Sequence, residues 1–212
     1  MPITLSKGQS INLAKSTYDL SHVTVGLGWD VAEPSSGGGF IGKLFGAKPP
    51  EEYDLDVIAF LLGANGKVVN RGDTKLQGGD VIFFNNLKHR SGRIWLTGDN
   101  RTGAGDGDDE QIIVDLNGLD QQYQQIVFVV QIYQGQQRGQ HFGAVKNAYI
   151  RAEDARGQEM VRFSVSNDPE FSGKRSMIFA EVERSGANWK FRAIGTPYES
   201  DSFVDILRNT YL

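Results

Sequence analysis

The chain has 212 residues, 39% of them hydrophobic and 23% charged, with a formal net charge of −4 and no cysteine. This is ordinary globular composition, enough for one substantial core or two small ones, and the missing thiols exclude disulfides, thiolate metal sites and thiol redox chemistry. No basic stripe marks a nucleic-acid surface, no window approaches the roughly eighteen apolar residues of a membrane span, and the amino terminus lacks a secretory pattern, so a soluble cytosolic protein is expected.

Twenty-six glycines and few helical periodicities favour a turn-rich, all-β architecture. Ile3, Leu5, Ile11 and Leu13 fall in short runs separated by Lys7-Gly8, the pattern of a β-hairpin. Next, Val23, Val25, Leu27 and Trp29 lie on one face of a strand by period two, with Asp30 at its end as a candidate metal ligand or a turn cap. An insertion loop spans about 34–52, flanked by glycines and prolines. Its middle, residues 40–48, mixes Phe40, Ile41, Leu44 and Phe45 with Lys43 and Lys48. That mixture suits peripheral contact with a membrane or a partner's groove, or it covers the protein's own sheet edge, or it is linker.

Tyr53 to Leu62 reads as a central strand apolar on both faces from Val57 onward, followed by an Asn65-Gly66 hairpin turn and a partner strand. Period two puts Asp54 and Asp56 on the same side, about 7 Å apart. Short strands follow at Val81–Phe84 and Arg93–Leu96, with the Asn85-Asn86 pair between them as turn formers whose amide oxygens also suit a cation. Gln111–Leu116 and Ile126–Tyr133 are further strands, the second the most apolar in the chain. Two hairpins are expected, 147–151 with 159–165 and 176–183 with 188–194, and a short helical tail at about 202–212 opens on a capping signature at Ser202.

The segment between the strands 93–96 and 111–116 is unlike the rest. Residues 99–110 carry five carboxylates and three glycines against one arginine, so this stretch sums to −4 by itself. Two unit charges about 4 Å apart repel by roughly 4 kcal/mol at an effective dielectric of 20, so such a cluster held in one fold needs a cation. Hard oxygen donors without sulfur or imidazole, with glycines that turn backbone carbonyls inward, suit Ca²⁺ better than octahedral Mg²⁺. The alternative is a solvated acidic turn. No frame satisfies an EF-hand, and the single G-x-G-D-G-D portion lacks the tandem copies of a calcium β-roll.

Three stretches, G-L-G-W-D at 26–30, D-L-D-V-I-A-F-L-L at 54–62 and F-F-N-N-L through T-G-D-N-R-T-G-A-G-D-G-D-D-E-Q-I at 83–112, resemble the hallmarks of the tellurium-resistance TerD family. The similarity continues at 126–130, 142–151 and 188–195. This resemblance implies one β-sandwich domain of two mainly antiparallel sheets that binds about two Ca²⁺ ions in its acidic loops. It also implies a place in tellurite and stress resistance beside other tellurite-resistance proteins, in a membrane-associated complex. The ligands it implies are Asp54, Asp56, Asp99, Asn100, Asp106, Asp108, Asp109 and Glu110, with backbone carbonyls of Gly103 and Gly105 and with Asp30 and Asn86 in second place. The loop at 34–50 is longer than the usual connection of the family, as in a divergent paralogue.

A non-catalytic calcium module is therefore the expected function. The alternative is a metal-dependent phosphoester hydrolase using the same carboxylates, although His22, His89 and His141 lie far apart in sequence and no nucleophile motif is present. Direct reduction of tellurite is disfavoured by the absence of cysteine and of a nucleotide-binding fingerprint.

Overall fold

Period-two alternation sends Val23, Val25, Leu27 and Trp29 of one strand into a shared interior, and the same rule organises two six-stranded sheets around it. The computed structural model describes residues 2–31, 53–97, 108–165 and 169–212; the insertion at 34–52 lies outside the described residues. The strands are β1 (Ile3–Leu5), β2 (Ser10–Leu13), β3 (Val23–Val31), β4 (Leu55–Leu62), β5 (Val81–Ile82), β6 (Ile94–Leu96), β7 (Glu110–Val114), β8 (Gln125–Ile132), β9 (Val145–Glu153), β10 (Glu159–Ser164), β11 (Ser176–Ser185) and β12 (Asn188–Tyr198). A short helix α1 (Gly135–Arg138) follows β8, and α2 (Phe203–Ile206) continues into a wider turn over Leu207–Tyr211.

The first sheet runs β1-β10-β9-β3-β7-β6 and the second β2-β12-β11-β8-β4-β5, the expected β-sandwich. Among the described residues all strand pairs are antiparallel except β1 with β10. The opening is not a hairpin: β1 joins the first sheet beside β10, whereas β2 joins the second beside β12. Gly8, at a φ of 83° that only glycine adopts freely, turns the chain between them, and its N–H donates to the Ala193 carbonyl at 2.8 Å. Each strand thereby covers an otherwise open sheet edge, which a local hairpin would leave unpaired.

The Asn65-Gly66 turn forms, but the partner strand does not. Val68 makes a single bridge to Leu62 and its N–H then donates to the carbonyl of Tyr211 at 2.9 Å. The chain leaves the sheet there because the carboxy-terminal turn occupies the neighbouring surface, and β5 pairs with β4 instead. The hairpins β9–β10 and β11–β12 match expectation.

Every residue of β4 is buried, for two different reasons. Leu55, Val57, Ala59 and Leu61 face the space between the sheets. Ile58, Phe60 and Leu62 face outward, where Phe203, Ile206 and Leu207 of the tail cover them. Each such apolar side chain contributes roughly 1.5–3 kcal/mol by leaving water. Ser202 does not cap the helix with its side chain. The Phe203 N–H instead donates to Oε1 of Gln131 at 2.9 Å, and Nε2 of Gln131 donates to Asp56 at 2.9 Å. Tyr211 stacks edge-on against Phe60 at 5.6 Å, and burial, seconded by the charges of Tyr198 and Glu181, pushes its phenol up to about 12.

Two outcomes follow from this docking. Replacing Gln131 by Leu removes one donor from the buried Asp56 carboxylate and the acceptor of a helix N–H, so unfolding in urea should show a loss of about 1–3 kcal/mol, and an unchanged midpoint would contradict the contact. In the folded chain the Tyr211 phenol stays neutral through the pH range where the unfolded one ionises. Stability should therefore be complete below about pH 10 and fall as pH rises toward 12. Tyr211→Phe should flatten that decline when melting temperatures at pH 9 and 11 are compared.

Candidate metal centre

Strand register decides which acids can meet. Leu27 pairs with Glu110, Leu55 with Ile132 and Leu96 with Ile112, so the end of β3, the starts of β4 and β7 and the ends of β6 and β8 share one end of the sandwich. Both sequence segments that carry acids, 54–56 and 108–110, are delivered there. Asp99, Asn100, Gly103, Gly105 and Asp106 lie outside the described residues, as do the Asp30 side chain and residues 40–48.

Asp108, Asp109 and Glu110 are consecutive, yet each goes to a different partner. The Asp108 carboxylate lies flat against the outer face of the first sheet, over Gly26, where a Cβ would collide with it. Arg151 of β9 grips it through Nε at 2.7 Å and a second nitrogen at 3.1 Å, and the Tyr149 hydroxyl donates to it at 3.2 Å. Gly28 serves Tyr149 in the same way, since a Cβ there would strike the phenol ring. Arg151 also pairs with Glu153 at 2.6 Å and Glu159 at 3.0 Å. Burial lowers its pKa, but the hydrogen bonds to Asp108 and Glu159 outweigh this and hold it above the ordinary arginine value. Burial first and the Asp108 charge second raise the Tyr149 phenol.

Asp109 is buried at the end of β3, where its backbone N–H donates to the Leu27 carbonyl at 2.8 Å and its carboxylate accepts the Trp29 N–H at 3.1 Å. Glu110 is 2% exposed. Its carboxylate crosses to the second sheet and accepts the Val57 N–H of β4 at 2.6 Å, a short charge-assisted bond. Asp56, also buried, follows the outward parity of Ile58 and accepts from Gln131. The Asp54 carbonyl accepts the Tyr133 N–H at 2.8 Å.

Asn86 serves the backbone of its own turn. Its amide nitrogen donates to the carbonyls of Gly79 and Val81 at 3.3 and 2.6 Å, and its oxygen accepts the Gly78 N–H at 3.3 Å.

The donor set fits a hard divalent ion: Asp109 and Glu110 offer buried carboxylate oxygens already oriented by backbone N–H groups. Among the described residues no three acidic or imidazole side chains converge closely enough to hold an ion by themselves. Further ligands would have to come from the acidic residues before 108.

A second polar cluster had no sequence signal, because its members are 9 and 34 positions apart. Asp80, His89 and Tyr123 are all buried. His89 Nε2 lies 2.9 Å from Asp80, the Tyr123 hydroxyl donates to Asp80 at 3.0 Å, and the Asn70 N–H donates to its other oxygen at 2.8 Å. Burial, then the Asp80 charge, pushes the Tyr123 phenol up to about 12. Arg151 and Gln131 were equally unmarked, since nothing local distinguishes an arginine or a glutamine on an apolar strand.

The TerD domain profile matches residues 1–210. The chain is 61% identical over 214 residues to the tellurium resistance protein TerX of Serratia marcescens, covering 99% of each chain. It is 42% identical over 208 residues to the stress response protein SCP2 of Bacillus subtilis, covering 98% of each, and 42% identical over 199 residues to the tellurium resistance protein TerD of Alcaligenes sp, covering 93% of this chain and 92% of that one. A crystal structure of a homologue of telluride resistance protein (TerD) from Streptomyces coelicolor superposes with a TM-score of 0.60 over 87% of this chain and 94% of that one, at 22% identity, and supports the sandwich fold. The relatives carry the names of resistance and stress-response proteins. With the profile running along nearly the whole sequence, the chain belongs to the TerD family.

Proposed function

We propose that the chain is a non-catalytic calcium-binding module of a tellurite and stress-resistance system. Asp109 and Glu110, aided by Asp54 and Asp56 and by acidic residues before 108, would hold about two ions at one end of the sandwich. The observation that supports this reading most directly is the pair of buried, backbone-oriented carboxylates at the exit of the acidic stretch. Bound calcium would supply positive charge and would shift that end from strongly acidic toward neutral. A change of that size alters preference for acidic partners or anionic lipid heads, so the occupied end would dock on another tellurite-resistance protein or a membrane-associated complex. Asp108 takes a different part in this reading. Arg151 grips it with two hydrogen bonds, so in this reading it fixes where the acidic stretch rejoins the sheet rather than binding an ion.

Calorimetry of EDTA-stripped protein with CaCl₂ should show saturable binding and a higher melting temperature. Absence of both ends the proposal. Asp109→Asn and Glu110→Gln should each weaken binding by about tenfold or more, the equivalent of one lost charged contact of about 1.4 kcal/mol. Asp108→Asn should separate from them: breaking a buried ion pair costs about 3–5 kcal/mol of stability, read in urea, while the number of ions bound per folded chain stays the same.

A further inference from the structure

On the outer face of the second sheet lies a groove of about 930 Å³. This volume is at the upper end of the roughly 300–1,000 Å³ typical of small-molecule sites. The segment 71–76 forms one wall, α2 and its continuation form the other, and the end of β8 closes it. Phe83, Phe203 and Leu207 make a buried apolar floor. Phe84 and Tyr133, each 38% exposed, stand at its rim.

Charge at the rim is asymmetric. Arg71, Lys75 and Arg208 line the groove, and none makes an ion pair among the described residues. The two acids beside them are engaged by backbone. Asp73 accepts the N–H groups of Lys75 and Gln77 at 2.8 and 2.9 Å, and Asp201 accepts that of Gln136 at 3.0 Å. Among the described residues the three cations thus lack an ion-pair partner, while both acids are held by backbone.

The wall that carries two of them is fixed in shape. Leu76 sits at a φ of 62°, a left-handed conformation that costs a side-chain-bearing residue roughly 1–3 kcal/mol, and by adopting it packs its side chain against the floor cluster. Gly72 and Gly79 let the two ends of the loop touch backbone to backbone, where a Cβ on either would collide. A loop held in strain and closed on itself keeps Arg71 and Lys75 at the groove mouth without ligand.

We propose that this groove binds a small amphiphilic anion, an aliphatic or aromatic chain ended by a carboxylate, with the chain on the Phe83, Phe203 and Leu207 floor and the head among Arg71, Lys75 and Arg208. The proposal does not rest on calcium binding.

The test is displacement of the anionic fluorophore 1-anilinonaphthalene-8-sulfonate from the full chain by decanoate, decanol or decyltrimethylammonium, all kept as monomers, with direct calorimetry of decanoate. Decanoate should bind saturably, one per chain, and displace the dye at least about tenfold more effectively than the cationic amphiphile, a gap of about 1.4 kcal/mol. Lys75→Ala combined with Arg208→Ala should remove that preference while leaving decanol unchanged. Both positions are exposed, and circular dichroism melting will verify the fold. Equal competition by all three amphiphiles, no saturation by decanoate, or an unaltered preference in the double variant overturns the proposal. So does binding to anionic phosphatidylglycerol vesicles with none to monomeric decanoate, which would make the face a membrane surface.

Discussion

Three neighbouring carboxylates cannot share one place without a counter-charge, and the end of this sandwich is built around separating them. At an effective dielectric of 20, each pair held at about 4 Å would cost roughly 4 kcal/mol. Asp108 is drawn to a guanidinium on the outer face, Asp109 to a backbone N–H at the end of β3, and Glu110 through the interior to a backbone N–H of the opposite sheet. The same separation fixes the sandwich itself. Glu110 ties β7 to the start of β4 on the edge that β8 does not pair, where β5 reaches only as far as Ala59 and Phe60. Two sheets that touch elsewhere mostly through apolar side chains are thus joined at this end by a buried charged hydrogen bond.

The glycines of β3 are explained by the same arrangement. Gly26 and Gly28 alternate with the core residues Val25, Leu27 and Trp29, so they lie on the outward face, where alternation alone would put solvated polar side chains. Side chains are missing there because the space is taken by the Asp108 carboxylate and the Tyr149 ring. A strand interior that gives up two side chains loses propensity and packing. Here the vacated face lets a carboxylate and its arginine lie close against the backbone, and Arg162 stacks over Tyr149 at 4.0 Å as a lid on the pair.

What could be read from the sequence depended on whether the signal was local. The inward row of β3, the two-sided burial of β4, the hairpins β9–β10 and β11–β12 and the helical spacing of Phe203, Ile206 and Leu207 all express periods of a few residues, and the structure has each of them. The opening and the Asn65-Gly66 stretch misled because a turn dictates only that the chain reverses, while competition for sheet edges decides what it pairs with. In the site, the crowding of acids between 99 and 110 was plain, but their destinations were not. The partner of Asp108 is 43 positions away, that of Glu110 is 53 positions in the other direction, and neither Arg151 nor the Val57 N–H carries any mark in a single sequence. The Asp80, His89 and Tyr123 cluster escaped for the same reason, and it shows that an isolated histidine can be a fully bonded core residue.

Gln131 connects the two ends of this account. An amide can face either way, and its orientation is set by whichever neighbours are donor and acceptor. Here Asp56 accepts from its nitrogen, which leaves its oxygen toward the Phe203 N–H, the first free donor of α2. Turning the amide over would set oxygen against carboxylate and N–H against N–H, so the charge on Asp56 keeps the start of α2 capped. That helix is a wall of the outer groove, and Gln131 itself lines it. The Asp56 carboxylate and the start of α2 are thus separated by a single side chain, and the electrostatic state of the first reaches the second through one amide.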